Sequence, residues 1–274
     1  MTLKPVVLIP VHKPMPEGLE VISLSQCAQV LSSHDIVILA PKELDLGAYR
    51  ERLKLIGELR VRAEWMASRA AYNRLMIAPW IYRELSSSYS HMLIHEPDAI
   101  VLRDELQYWC SQPLDYIGAP WFEGFDAPPA GAALLGVGNF GFSLMRLEAA
   151  VSVLSSQNRW YASICGFKDI AKGLKGSWKR LRRGVLGLGS AAQLRGAYRI
   201  YEDHCDRFWS NIVPAYEPTF RVASMADAIR FAWEVLPDRC FDLCGGRLPF
   251  GIHAWARYNL EFLKPHLAAN GVRF

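Results

Sequence analysis

The stretch that decides the fold is "KPVVLIPVHKPMPEGLEVISLSQCAQVLSSHDIVILAP", residues 4–41. Its opening, "KPVVLIPVHK", is almost continuously apolar and is bounded by Pro5 and by "HKPMP", as a buried strand would be. "EGLEVISLSQCAQVLSS" follows, with Leu19, Ile22, Cys27, Val30 and Leu31 at helical spacing. "HDIVILAP" is a second apolar run of strand length. Strand, helix and strand in this order make a βαβ unit, which implies a parallel sheet.

Outward from this unit, the same signals recur. "SRAAYNRLMIAPWIYRELSSS" predicts a helix that Pro79 bends or whose start it shifts. "HMLIHEPDAIV", residues 91–101, reads as another strand, and "LDYIGAPW" and "NFGFSLMRL" as two more. "RLEAAVSVLSS" predicts a helix, and "YEDHCDRFWSNIV" and "MADAIRFAWEVL" two short ones. No internal repeat is present. The expectation is a single α/β domain over residues 1–274, with a mostly parallel central sheet flanked by helices. Its nucleotide-binding half spans about 1–104 and its acceptor half about 105–274, with a basic insertion at about 166–197.

Composition narrows the class. With 51% apolar and 12% aromatic residues in 274, a sizeable core can be buried and disorder is excluded over most of the length. No signal peptide and no transmembrane run is expected. The six cysteines are scattered, so they read as reduced thiols of a cytoplasmic protein; "CFDLC" lacks a second half with zinc-site spacing. The net charge of +4 is concentrated. Residues 168–183 alone carry seven Lys and Arg against one Asp, and Ile170, Leu174, Trp178, Leu181 and Val185 form an apolar helical stripe among them. Such a segment, taken over residues 168–185, suits an anionic membrane surface as well as packing on the protein's own core. The rest of the chain is not basic, and no nucleic-acid partner is expected.

Four stretches carry chemistry. In "HEPDAIV", Glu96 and Asp98 interrupt an apolar run, and with one residue between them both acids point to the same side of a strand end. In open α/β sheets ligands bind beyond the carboxyl ends of the strands. Paired carboxylates there suit a hard divalent cation; a solvated strand end is the plain alternative. "GVGNFGFSL", residues 136–144, lets backbone approach a ligand closely, or simply turns. "YEDHCDRFW" offers Glu202 and Asp203 as a general base, or as acids favoured by a helix dipole. "PFGIHAW" sets His253 among apolar residues, as a metal ligand or as a core histidine.

Taken in order, "VLIPVHKP", "SLSQCAQVL", "YNRLM", "HEPDAIVLRDEL", "DYIGAPW", "GNFGFSL", "EDHCDRFW" and "PFGIHAW" resemble the landmarks of GT-A-fold nucleotide-sugar glycosyltransferases, and more closely a bacterial glycosyltransferase-like family described as a domain of unknown function. The resemblance covers nearly the whole chain. It implies a metal-dependent transferase that uses Mn²⁺ or Mg²⁺ and moves a sugar from a nucleotide-sugar donor to a glycan or lipid-linked acceptor. It further implies a role in bacterial surface polysaccharide synthesis, in the cytoplasm or on the inner face of the membrane. By position, Glu96 and Asp98 match the Asp-x-Asp element that holds metal and diphosphate; the first acid here is Glu, which makes Asp98 the principal ligand. Gly138, Asn139 and Gly141 match the glycine-rich loop that lines donor sugar and acceptor. Glu202 and Asp203 match the motif that supplies the base, and His253 the late histidine that completes the metal site. Asn73 and Arg74 would reach the nucleotide, and Pro10, Val11 and His12 would border base and ribose. An inactive sugar-nucleotide-binding or scaffolding protein is the alternative from another class. A nucleotidyltransferase is disfavoured because no Lys/Arg-rich glycine loop follows the first strand.

Overall fold

The structure, a computed structural model, describes residues 3–156 and 203–274. Its main sheet has six strands in the order β3-β2-β1-β4-β9-β6. These are β1 (Pro5–Pro10), β2 (Asp35–Pro41), β3 (Leu55–Val61), β4 (His91–His95), β6 (Tyr116–Ile117) and β9 (Phe142–Arg146). The βαβ unit forms as the sequence dictates, with α1 (Glu20–Val30) crossing from β1 to β2. β3, β2, β1 and β4 are parallel, whereas β9 runs antiparallel between β4 and β6.

Every residue of β1 is buried, and its side chains alternate between two cores. Val6 and Leu8 pack with Leu75, Ile81, Tyr82 and Trp209 on one face. Val7 and Ile9 pack with Leu24, Cys27, Leu106 and Trp109 on the other. This two-sided burial explains the uninterrupted apolar run. Each such side chain contributes about 1.5–3 kcal/mol through removal from water. The helical residues on the first face come from α3 (Arg69–Leu75), α4 (Pro79–Ser86) and the helical turn Phe208–Ile212, beside α6 (Leu147–Ser156), and those on the second from α1 and α5 (Leu106–Ser111); the short α2 (Gly47–Arg50) lies between β2 and β3.

The structure refines several expectations. The helix expected over 68–88 is two helices, and Pro79 occupies the first turn of the second, where its missing N–H costs nothing. "HMLIHEPDAIV" is not one strand. β4 ends at His95, a turn follows in which Ala99 donates to the Glu96 carbonyl at 2.9 Å, and Ile100–Val101 form β5 in another sheet. "LDYIGAPW" likewise divides at Gly118 into β6 and β7 (Pro120–Phe122), the latter paired with β8 (Leu134–Val137). The helix expected over "MADAIRFAWEVL" stops at Phe231, and Ala232–Trp233 form β10. β3 was not anticipated, because its mixed polar and apolar residues hide an edge strand. The basic insertion and Glu202 lie outside the described residues. Among the described residues no helix is long and apolar enough to cross a membrane.

A three-stranded sheet, β10-β11-β5, with β11 at Gly251–Ile252, packs beside the main one. The two sheets share the chain at the Glu96–Ala99 turn, and this junction positions the site. A second junction is Gly118, where a Cβ would lie 1.9 Å from the Gly138 carbonyl oxygen and 2.4 Å from that of Asn139. Backbone cannot yield there as a flexible side chain can. Gly118→Ala should therefore destabilise the protein by about 1–3 kcal/mol, read as a lower urea midpoint with unchanged slope.

Candidate active site

The turn after β4, not strand alternation, makes Glu96 and Asp98 converge. Pro97 occupies the first central position of that turn, where its fixed φ is favoured. The Glu96 N–H donates to the Gly141 carbonyl at 2.8 Å, which ties the turn to the start of β9. Because β9 is antiparallel to β4, its beginning lies at the same edge as the carboxyl ends of β1 and β4.

The small sheet delivers the remaining groups by register. β10 and β11 are parallel, with Ala232 opposite Gly251 and Trp233 opposite Ile252. One residue further on, Glu234 and His253 emerge side by side, and the His253 N–H donates to the Trp233 carbonyl at 2.8 Å. β5 flanks β11 on its other side, antiparallel, with Ile100 opposite Ile252. His253 therefore stands between Glu234 and the turn that carries Asp98. Its Nε2 lies 3.3 Å from both Glu96 Oε2 and Asp98 Oδ1, and its Nδ1 lies 3.0 Å from Glu234 Oε1. One donor atom from each of Glu96, Asp98 and His253 falls within 4.8 Å of the others.

The glycine-rich loop closes this arrangement. Gly141 has no Cβ because one would sit 2.2 Å from His253 Nε2. At Gly138 a Cβ would fall 1.9 Å from the Trp121 ring. Asn139 takes φ +54°, and its Nδ2 lies 3.0 Å from His253 Nδ1. Of the five non-glycine residues with positive φ among the described residues, Phe125, Asn139 and Ala254 line the cleft. Uncommon backbone conformations cluster at functional sites.

Electrostatics follow from this packing. The side chain of His253 is 14% exposed and that of Glu234 19%, whereas that of Asp98 is 48% exposed and opens to the cleft. Burial alone would hold the His253 ring neutral, but hydrogen bonds to Asp98, Glu234 and Glu96 outweigh it and raise its pKa well above the ordinary value. Burial opposes ionisation of Asp98 and Glu234, yet the imidazole lowers both. His95, one residue before the turn, is different. Fully buried against Phe142, it is pushed down to about 4 by that burial and stays neutral.

A cleft of about 910 Å³ opens at this edge. Pro10 and His12 line it from the end of β1, Asn73 from α3, and Glu96, Asp98, Asn139, Gly141 and His253 from the junction. Val11 points into the core instead, Gly138 lies behind Trp121, and Arg74 is outside the lining. Asp203 is also outside it; its carboxylate pairs with Arg207 at 3.0 Å. The acid that this segment turns into the cleft, among the described residues, is Asp206. Burial pushes the Asp206 carboxyl above the ordinary range; backbone N–H groups and His204 oppose this, and the Glu234 charge adds to it. Sequence reasoning missed Asp206 and Glu234. The first hid behind the adjacent Glu-Asp pair, and the second was assigned to a helix.

The family described as "Protein of unknown function (DUF5672)" matches residues 56–253. No curated protein matches the chain in sequence. Among solved structures, the apo form of mouse xyloside xylosyltransferase 1 aligns with 92% of this chain and 97% of its own, at 12% identity and TM-score 0.45. A glycosyltransferase involved in glycosylation of the major capsid of PBCV-1 aligns with 97% of this chain and 99% of its own, at 9% identity and TM-score 0.43.

The raised His253 pKa sets a pH dependence in the cation-free protein. Its contribution to stability is complete below the unfolded value of about 6.5 and is lost as pH rises through the folded value. The depressed Asp98 and Glu234 contribute above their unfolded values, near 4, and lose that contribution as pH falls through the folded ones. The stability gap between wild type and His253→Gln should thus be widest near about pH 5–6 and close toward alkaline pH. Thermal melts of both proteins with chelator present will show it; a gap that widens with pH contradicts the assignment.

Proposed function

The chain belongs to the family described as "Protein of unknown function (DUF5672)", and we propose that it is a glycosyltransferase that moves a sugar from a nucleotide-sugar donor to an acceptor hydroxyl. The observation that carries this proposal is the convergence of Glu96, Asp98 and His253 at the carboxyl edge of a mostly parallel sheet, at the head of a large cleft. The order of motifs that resembles GT-A-fold glycosyltransferases supports it independently.

Two carboxylates and one imidazole form an oxygen-rich, borderline-hard donor set, which fits Mn²⁺ or Mg²⁺. A divalent cation held there supplies Lewis-acid neutralisation of the leaving nucleoside diphosphate. The chain's own residues do the rest. Arg69 and Arg257, both in the cleft lining, offer cationic partners for phosphate oxygens. Asn73 and His12 border the donor end. Asp206 is the candidate base, since the partial burial that raises its pKa also makes it a stronger proton acceptor. In the reaction, the acceptor oxygen bonds to the anomeric carbon as the bond from that carbon to the diphosphate oxygen breaks. The bonding pair leaves with the diphosphate, and the acceptor's proton passes to the carboxylate.

The acceptor is a glycan or lipid-linked sugar of the bacterial surface, and the basic segment 168–185 would hold the enzyme to the cytoplasmic face of the membrane. The support for both is the sequence pattern alone.

The test is release of nucleoside diphosphate from a panel of nucleotide sugars, with and without Mn²⁺. Transfer or slow donor hydrolysis should require the cation and vanish in Asp98→Ala. Release of pyrophosphate instead would indicate a nucleotidyltransferase, and binding without release an inactive sugar-nucleotide binder. Asp206→Asn should lower turnover by ~10²-fold or more with donor affinity nearly intact. Should Asp203→Asn show that loss while Asp206→Asn does not, the base is Asp203.

A further inference from the structure

We propose that Glu234 is a positioning residue, whose carboxylate accepts the Nδ1–H of His253 and so presents Nε2 to a divalent cation shared with Glu96 and Asp98. The inference rests on the proposal above that His253 is a metal ligand.

An imidazole can bind a cation through one nitrogen only if that nitrogen carries no proton. Which nitrogen is free depends on the hydrogen bond made by the other. Here the two nitrogens face different partners. Nδ1 lies 3.0 Å from Glu234 Oε1, and Nε2 lies 3.3 Å from one oxygen of each acid in the turn. Gly141 faces the Nε2 side, where a Cβ would lie 2.2 Å from that nitrogen, and the His253 N–H is tied to the end of β10. Glu234 is held as firmly. It follows β10 directly, in register with His253, and its side chain is nearly enclosed.

Glu234 is a poor candidate for other work. The group of ligand atoms within mutual reach comprises Glu96, Asp98 and His253, and Glu234 is not part of it. Its carboxylate instead meets the far nitrogen of the ring, with Oε1 3.0 Å from His253 Nδ1. At φ +54° Asn139 brings its amide to the same side of the ring, with Nδ2 3.0 Å from His253 Nδ1. The chain carboxylate, imidazole, cation is a recurrent way to fix a ligand's tautomer and raise its basicity, and loss of the outer carboxylate typically weakens metal binding 10–100-fold.

The experiment is Mn²⁺ titration of the full chain without donor, followed by EPR, on wild type and on Glu234→Gln, Glu234→Ala and Asp98→Ala. Glu234→Gln keeps the shape and an acceptor oxygen but loses the charge, so it remains informative if the alanine variant unfolds. Wild type should bind. Glu234→Gln should bind more weakly, and Glu234→Ala, where folded, 10–100-fold more weakly than wild type. A long-range ¹H–¹⁵N spectrum of the Mg²⁺-loaded, His-labelled protein should show His253 protonated at Nδ1 in wild type and mixed tautomers in the Glu234 variants. A structural role alone would not move that signature. Unchanged affinity and an unchanged tautomer in folded Glu234 variants, alongside loss of binding in Asp98→Ala, would overturn the role of Glu234 and leave the metal site standing. Absence of Mn²⁺ binding by wild type would overturn both.

Discussion

Three carboxylates converge on His253, and the site is organised around the balance of their charge. Glu96, Asp98 and Glu234 all lie within 3.3 Å of a His253 nitrogen. Two unit charges ~4 Å apart repel by about 4 kcal/mol at an effective dielectric near 20. Three such charges without a counter-ion would spread the junction apart. The protonated imidazole supplies one positive charge, which explains why its pKa is raised although burial works against it. Yet one charge does not balance three. The excess points outward, through the exposed Asp98 toward the cleft; a divalent ion held by Glu96, Asp98 and Nε2 would replace the proton there and, with two charges for one, offset more of it.

The fold is arranged to hold that charge still. Glu96 and Asp98 hang from the end of β4, the neighbour of β1 in the most buried part of the main sheet. His253 and Glu234 hang from two-residue strands, which alone would be poor anchors. They are fixed because β5 shares a turn with β4, and because Trp233, Phe250, Ile252 and Trp255 around them are fully buried. Rigidity at the site thus comes from large aromatic side chains beneath short strands. Regular ladder length contributes little. Gly118, Gly138 and Gly141 remove the Cβ atoms that would keep these surfaces apart.

The sequence made the first part of this legible and concealed the second. The βαβ unit at 4–41 could be read because β1 and β2 are buried on both faces and so are uniformly apolar. Asp98 and His253 stood out because polar residues in apolar runs are conspicuous. Glu234 did not, because "AIRFAWEVL" has the periodicity of a helix, and only pairing with Gly251–Ile252, distant in sequence, makes its second part a strand. Asp206 was overshadowed by Glu202 and Asp203, and the difference between Asp203 and Asp206 is one of direction around a helical turn. The convergence of Glu96 and Asp98 was anticipated for the wrong reason. Strand alternation was expected to align them, and a hydrogen-bonded turn does so instead.

The separation of charge along the cleft gives the last step. The carboxylates and His253 gather at the junction of the sheets, whereas Arg69 and Arg257 enter the lining from other elements. A ligand that carried only negative charge would be drawn to the arginines and repelled by the acids. A neutral sugar would gain little from either. On the function proposed above, a nucleotide sugar suits both regions: Arg69 and Arg257 would meet its phosphate oxygens, and Glu96, Asp98 and His253 would hold a divalent cation that offsets the repulsion of the acids. In that reading Arg69 and Arg257 would also stabilise the negative charge that grows on the leaving diphosphate. As the proposed base, Asp206 would have to accept a proton beside a carboxylate-rich junction. Burial raises its pKa most; the backbone N–H of Arg207, 2.7 Å from Asp206 Oδ1, and His204 oppose this, and the Glu234 charge adds to it. A base at this position would gain proton affinity from its burial, and the backbone N–H keeps that gain in check.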